Sequence, residues 1–134
     1  AEVATGVDVD AGPEDRARQA MAGYRRFALR HPARFTLVFT DVLPGYVAPA
    51  GGPTIGAQTS VMLPLAKALA ELSGEPADDI AAWSSATRTR AIAAWSQLHG
   101  FVSLEANHHL DWLDDIDALF ESTCDRALSV SSPV

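Results

Sequence analysis

The chain has 134 residues, a formal net charge of -7 and a pI near 4.8, so by itself it repels phosphate and is a poor nucleic-acid binder. Apolar residues make up 48% and charged residues 20%, which excludes a disordered chain and describes one globular domain with a real core. No apolar run approaches the roughly 20 residues that span a bilayer, no secretory leader opens the chain, and the single cysteine, Cys124, excludes an internal disulfide and fits a reducing, cytoplasmic setting with no membrane partner.

Residues 1–12 show no periodicity and read as a flexible lead-in, and the missing initial Met suggests a cut protein. Pro13-Glu14-Asp15 opens a helix, with proline preset for the first turn and acids at the positive dipole end. Ala17, Ala20, Met21, Tyr24, Phe27 and Ala28 recur at spacings of three and four, which makes this helix amphipathic. Arg16, Arg18, Arg25, Arg26 and Arg30 read as its solvated face. The helix ends near His31, because Pro32 disfavours helix at the residue before it.

A second helix runs from Pro32 to Leu43 with a stripe of Phe35, Val38, Phe39 and Val42. Pro44-Gly45 through Gly51-Gly52-Pro53 then form a loop, expected to be the most mobile part. A third helical segment covers Thr54 to Ser73. Pro64 inside it implies either a kink or a fresh start at Leu63-Pro64, and Gly74 ends it. Pro76 to Asp79 is expected to open the next helix, with weak points at Ser84-Ser85 and Thr87 to Thr89 and its best-defined stretch over Arg90 to Asn107. A last helix is expected from Asp111 to Leu128, using Trp112, Leu113, Ile116, Leu119, Phe120 and Leu128. Residues 129–134 fray. Residues 13–128 thus form one all-α domain, an antiparallel bundle of five or six helices.

The Arg90 to Asn107 stretch has two characters. Ala91, Ile92, Ala94, Trp95, Leu98, Phe101 and Val102 cover about half of its circumference. The other side carries the small residues Ala93, Ser96, Gly100 and Ser103. A mid-helix glycine costs about 1 kcal/mol relative to alanine, and here it lies on a strip that another helix can approach closely. That helix belongs either to a second subunit or to this one.

Candidate ligand-lining residues are Tyr24, Phe27, Phe35, Phe39, Met62, Leu65, Trp83, Trp95 and His99, the mixture of rings, thioether and polar tips that an apolar pocket uses. Each has a plain core role as its alternative. Tyr24 and His99 stand out, since a buried phenol or imidazole needs a partner, which a backbone carbonyl can also supply. Other constellations carry less. His108-His109 with Asp111, Asp114, Asp115 and Asp117 resembles a metal cluster, but adjacent helical histidines point about 100° apart, and Asp111, Asp114 and Asp115 read as first-turn acids. Glu105 with His109, or with His99, offers acid-base chemistry but no nucleophile with an orienting group. Gly51-Gly52-Pro53-Thr54-Ile55-Gly56 lacks a P-loop lysine, and Cys124 reads as a packing residue. No metal or cofactor is expected.

Two segments in order carry a resemblance. Tyr24-Arg25-Arg26-Phe27-Ala28-Leu29-Arg30-His31-Pro32-Ala33-Arg34-Phe35 continues to Phe39, and Trp95-Ser96-Gln97-Leu98-His99-Gly100-Phe101-Val102-Ser103-Leu104-Glu105 follows. With Leu119-Phe120-Glu121 they resemble the C-terminal domain of TetR-family transcription repressors, in the subgroup with a Trp-x-x-x-His-Gly helix, over roughly residues 14 to 128. The resemblance implies a helical effector-binding core whose last two long helices pair with their copies in a dimeric four-helix bundle. Ala93, Ser96, Gly100, Ser103, Asn107, Ile116 and Phe120 would line that interface. It implies a small apolar effector, and operator DNA reached only through an N-terminal helix-turn-helix that this sequence lacks. The rival readings are a small helical enzyme using Glu105 and His109, and a dimerisation module without an effector.

Overall fold

Five helices make up the secondary structure of the computed structural model, which describes residues 7–39 and 53–129. They are α1 (Pro13–Arg30), α2 (Pro32–Phe39), α3 (Pro53–Leu72), α4 (Ser85–Ala106) and α5 (Ile116–Leu128), with a short 3-10 turn at Ile80–Ala82. No strand occurs among the described residues. The side chains of Val38 and Phe39, and the expectations for Val42, Leu43 and the Gly/Pro-rich segment, lie outside the described residues.

Side-chain pairs fix the directions of the helices. Arg16 of α1 bonds Glu71 at the end of α3, so these two run antiparallel. Arg18 meets Asp125 at 2.8 Å and Arg25 meets Asp117 at 2.8 Å, so α1 and α5 are antiparallel too. Arg90 near the start of α4 donates to the Leu128 carbonyl at 2.9 Å, which sets α4 against α5 in the same sense. Helix α1 touches all four others and is the hub of the bundle. Its buried Ala17, Ala20, Met21, Tyr24 and Ala28 follow the expected stripe, joined by Leu65, Leu69, Leu98, Val102 and Phe120 from the other helices.

Of the two outcomes open at Pro64, no fresh start occurs: α3 is one helix from Pro53 to Leu72. Two helix starts differ from expectation, each for a local reason. Pro76 to Asp79 does not open α4. That segment is turn, and the helix starts only after Ser84, whose hydroxyl caps the Thr87 amide at 3.1 Å. The Glu75 carboxylate grips the Ser84 amide, the Ser84 hydroxyl and the Thr87 hydroxyl, so the supposed weak point is the start signal. The last helix begins at Ile116 rather than Asp111. Asp115 is its N-cap, bonded to the Ala118 amide at 3.0 Å. Asp111 and Asp114 therefore belong to the connecting turn and are not first-turn acids. His108, at φ 62°, stops α4 by entering the left-handed region.

Candidate functional site

Four rings converge where α1, α2 and α4 meet. The Tyr24 hydroxyl lies 2.5 Å from His99 Nδ1. Phe35 stands edge-on to Tyr24 at a centroid distance of 5.9 Å, and His99 lies 5.7 Å from Phe35 and 5.6 Å from Trp95. The cause is registration: Tyr24 is on the buried stripe of α1, Phe35 on the first turns of α2, and Trp95 and His99 are i, i+4 neighbours on α4. Burial pushes the Tyr24 phenol well above its ordinary range, and burial lowers the imidazole of His99. Both are therefore neutral near pH 7.

The structure joins Tyr24, Phe35, Trp95 and His99 of the nine predicted lining residues. Phe27 is half-buried and stacks on His31 at 5.7 Å. Leu65 is in the core and Met62 is half-buried. The Phe39 side chain is outside the described residues. Trp83 does not belong to this cluster. It precedes α4, about 20 Å along the axis from His99, where its indole donates to the Pro76 carbonyl at 2.7 Å and pins the α3–α4 connection.

A second junction lies beside the first. Arg25 Nε and Nη2 reach the Glu105 carboxylate at 2.7 and 2.8 Å, and Nη1 reaches Asp117 at 2.8 Å. The guanidinium also sits 4.8 Å from the Phe120 centroid and 5.7 Å from that of Phe101. Its carboxylate partners, chiefly Glu105, raise the pKa of Arg25. The arginines of α1 are thus not a uniform solvated face. Arg16, Arg18 and Arg25 are paired across the bundle, and Arg26 and Arg30 alone fit the solvated reading. Glu105 is committed to Arg25, while His109 is exposed, so the acid-base pair of the enzyme reading is not assembled. His108 meets Asp111 at 3.1 Å in the turn. No group of three or more metal-binding side chains occurs among the described residues. Cys124 is buried and its thiol is pushed up to about 11, mainly by burial.

Helix α4 presents two faces. Thr87, Ala91, Ala94, Leu98, Phe101, Val102 and Glu105 are buried in the bundle. Facing away, within an arc of roughly 120°, lie Ile92, Ala93, Ser96, Gly100, Leu104 and Asn107, all exposed. Ile92 is 51% exposed, contrary to its expected place in the core, and Leu104 is 46% exposed. Trp112 and Leu119 are also exposed rather than buried. A Cβ built on Gly100 meets nothing within 4 Å, so no packing among the described residues accounts for the glycine. Ser103 and Ile116 are half-buried. Phe120, expected on the outer face, is instead buried in the chain's own core, 5.4 Å from Phe101. An open cleft of 920 Å³ adjoins this face, bounded by Ser73, Thr87, Arg90, Ala93, Gln97 and Arg126. None of the predicted lining residues borders it.

Residues 17–127 match the family described as Tetracyclin repressor-like, C-terminal domain. The chain belongs to that family. Membership supports the effector-binding domain of a regulator, and the all-helical bundle agrees with it. Comparison with curated proteins and with solved structures gave no match. Among the described residues no helix is long and apolar enough to cross a membrane.

The sequence pointed to Tyr24 and His99 but not to each other as partners. It missed the Arg25–Glu105 junction. The available signal was a lone Glu105 on the face of Leu98 and Val102, where an uncompensated carboxylate is costly. Leu104 was also missed, although it continues the Gly100 strip by one turn.

Proposed function

We propose that this chain is the effector-sensing and homodimerising domain of a TetR-like transcriptional repressor of the cytoplasm, reaching operator DNA through a helix-turn-helix that the sequence does not contain. The observation that carries this reading is the outer face of α4. Its exposed isoleucine and leucine flank a glycine with open space above it. A glycine that costs about 1 kcal/mol, and whose Cβ position meets nothing among the described residues, is explained by close approach of a second helix. Family membership supports the same use of the face.

Sensing follows from how α1 is mounted on α4. Two bonds hold it: the neutral Tyr24–His99 contact and the Arg25–Glu105 pair, whose α4 positions lie about 9 Å apart along the axis. An effector seated among the four rings competes with the first bond while the second holds. Helix α1 then pivots on Arg25, and the pivot alters the spacing of the DNA-reading segments in the dimer. Coupling of this kind is typically about 1–3 kcal/mol, or roughly 5- to 150-fold in operator affinity.

Cross-linking tests the interface. Ser96→Cys places a thiol on the strip, and the native Cys124 is buried. A short bis-maleimide is expected to convert Ser96→Cys into a covalent dimer and to leave Ala33→Cys, exposed on α2, monomeric. Equal cross-linking of both, or of neither, contradicts the proposed face.

A further inference from the structure

The hairpin of α4 and α5 separates its charges along its length. Arg90 and Arg126 stand at its open end, on the rim of the 920 Å³ cleft. Between them in the chain there is no other Lys or Arg, whereas Asp111, Asp114, Asp115 and Asp117 crowd the closed end. The two ends lie about 25 Å apart, the rise of α4 from Arg90 to Asn107. Among the described residues neither arginine meets a carboxylate: Arg90 bonds the Ser73 hydroxyl and the Leu128 carbonyl, and Arg126 is exposed. The carboxylate that borders the cleft, Glu75, is held by Ser84 and Thr87. At the other end Asp115 caps α5 and Asp117 pairs with Arg25. Asp111 meets His108 alone, and Asp114 is exposed with no cation among the described residues.

The open face between these ends is symmetric in size. Ile92, Ser96, Gly100 and Leu104 follow one another by four, large, small, small, large, about a midpoint at position 98. All four are exposed. A two-fold axis brings up a second α4 in one of two directions. Parallel copies set arginine on arginine and aspartate on aspartate. Antiparallel copies set Arg90 and Arg126 beneath the partner's Asp111 and the partner's Asp114. They also put Ile92 against the partner's Leu104 and close Ser96 on the partner's Gly100. Complementary charge of this kind selects direction and register more than strength.

We propose that a second copy of this chain packs its α4 antiparallel to the first, centred near position 98, so that its acidic α4–α5 turn covers the arginine-rimmed cleft. This rests on the reading of the outer face of α4 as the dimer face, and adds to it the direction and the charge lock.

Disulfide pairing reads the direction. In the antiparallel pair Ile92 lies about 18 Å along the axis from its own copy, beyond the roughly 7 Å between Cα atoms that a disulfide spans. Ile92→Cys alone and Leu104→Cys alone should therefore give little disulfide dimer under mild oxidation. An equimolar mixture of the two should give it at least about tenfold faster. Charge reversal reads the lock, with the dimer constant taken from sedimentation equilibrium. Arg126→Glu and Asp114→Arg should each weaken the dimer about tenfold, because both symmetry-related contacts turn repulsive. The double variant should regain most of that loss, and about 0.5 M salt should shrink every one of these differences. Rapid disulfide formation by Ile92→Cys alone, or single reversals that leave the dimer as tight as the native one, overturns the antiparallel lock while the dimer stands. A native chain that is monomeric at every concentration overturns the dimer reading itself. A native dimer whose cysteine variants cross-link neither singly nor mixed has its interface elsewhere, which overturns both.

Discussion

Removing the Arg25 side chain is the most informative perturbation of the bundle. Its guanidinium makes two bonds to Glu105 and one to Asp117, and it covers the Phe120 ring. The Glu105 side chain is 9% exposed and that of Asp117 is 81% exposed. Asp117 therefore loses little, and the cost falls on Glu105. Breaking a buried pair by deleting one member costs about 3–5 kcal/mol. Arg25→Ala is expected near the lower end, about 3 kcal/mol, because water reaches the site from the Asp117 side. Glu105→Gln leaves Arg25 with Asp117 and should cost less, about 2 kcal/mol. The double variant Arg25→Met/Glu105→Leu should lose less than Arg25→Ala alone, since no charge is then stranded. Urea unfolding at fixed protein concentration, followed by circular dichroism, measures all three, with an unchanged m-value as the control. A loss below about 1 kcal/mol, or a double variant as unstable as the sum of the singles, refutes the clamp.

Two further outcomes follow from the caps and from His99. Ser84→Ala and Asp115→Ala each remove the N-cap acceptor of a helix and should each cost about 1 kcal/mol in the same urea assay; Ser84 should be the worse, because its hydroxyl also donates to Glu75. His99 has its pKa lowered by burial, so below its unfolded pKa of about 6.5 the unfolded chain binds the extra proton. Its contribution is complete above that pH and is lost as pH falls. Melting temperature should decline more steeply as pH falls below about 6.5 in the native chain than in His99→Gln, while Tyr24, whose pKa is raised, stays neutral throughout.

What the sequence made legible was periodicity and punctuation. The buried stripe of α1 and the break at His31-Pro32 come from 3.6-residue spacing and from proline, while Tyr24 and His99 stood out singly and not as partners. The helix starts were misread because acids and prolines advertise a first turn wherever they cluster. Asp111, Asp114 and Asp115 look alike in the sequence, and only Asp115 is set to cap an amide. Pro76 looked like a first helical residue, yet Ser84 held by Glu75 won. Ile92 and Leu119 were read as core because hydrophobicity alone cannot separate a face buried within a chain from one left open on it. Phe120 was misassigned the other way, since nothing in the sequence showed Arg25 reaching across to cover it.

Mass in solution decides whether the open face of α4 is used. Sedimentation equilibrium across micromolar concentrations should give twice the 14.2 kDa of the single chain. Gly100→Arg, which adds bulk where the described residues leave open space, should return the mass to 14.2 kDa with helix content unchanged. A native chain that sediments as a monomer throughout, or a Gly100→Arg protein that remains a dimer, contradicts the pairing of α4 with its copy.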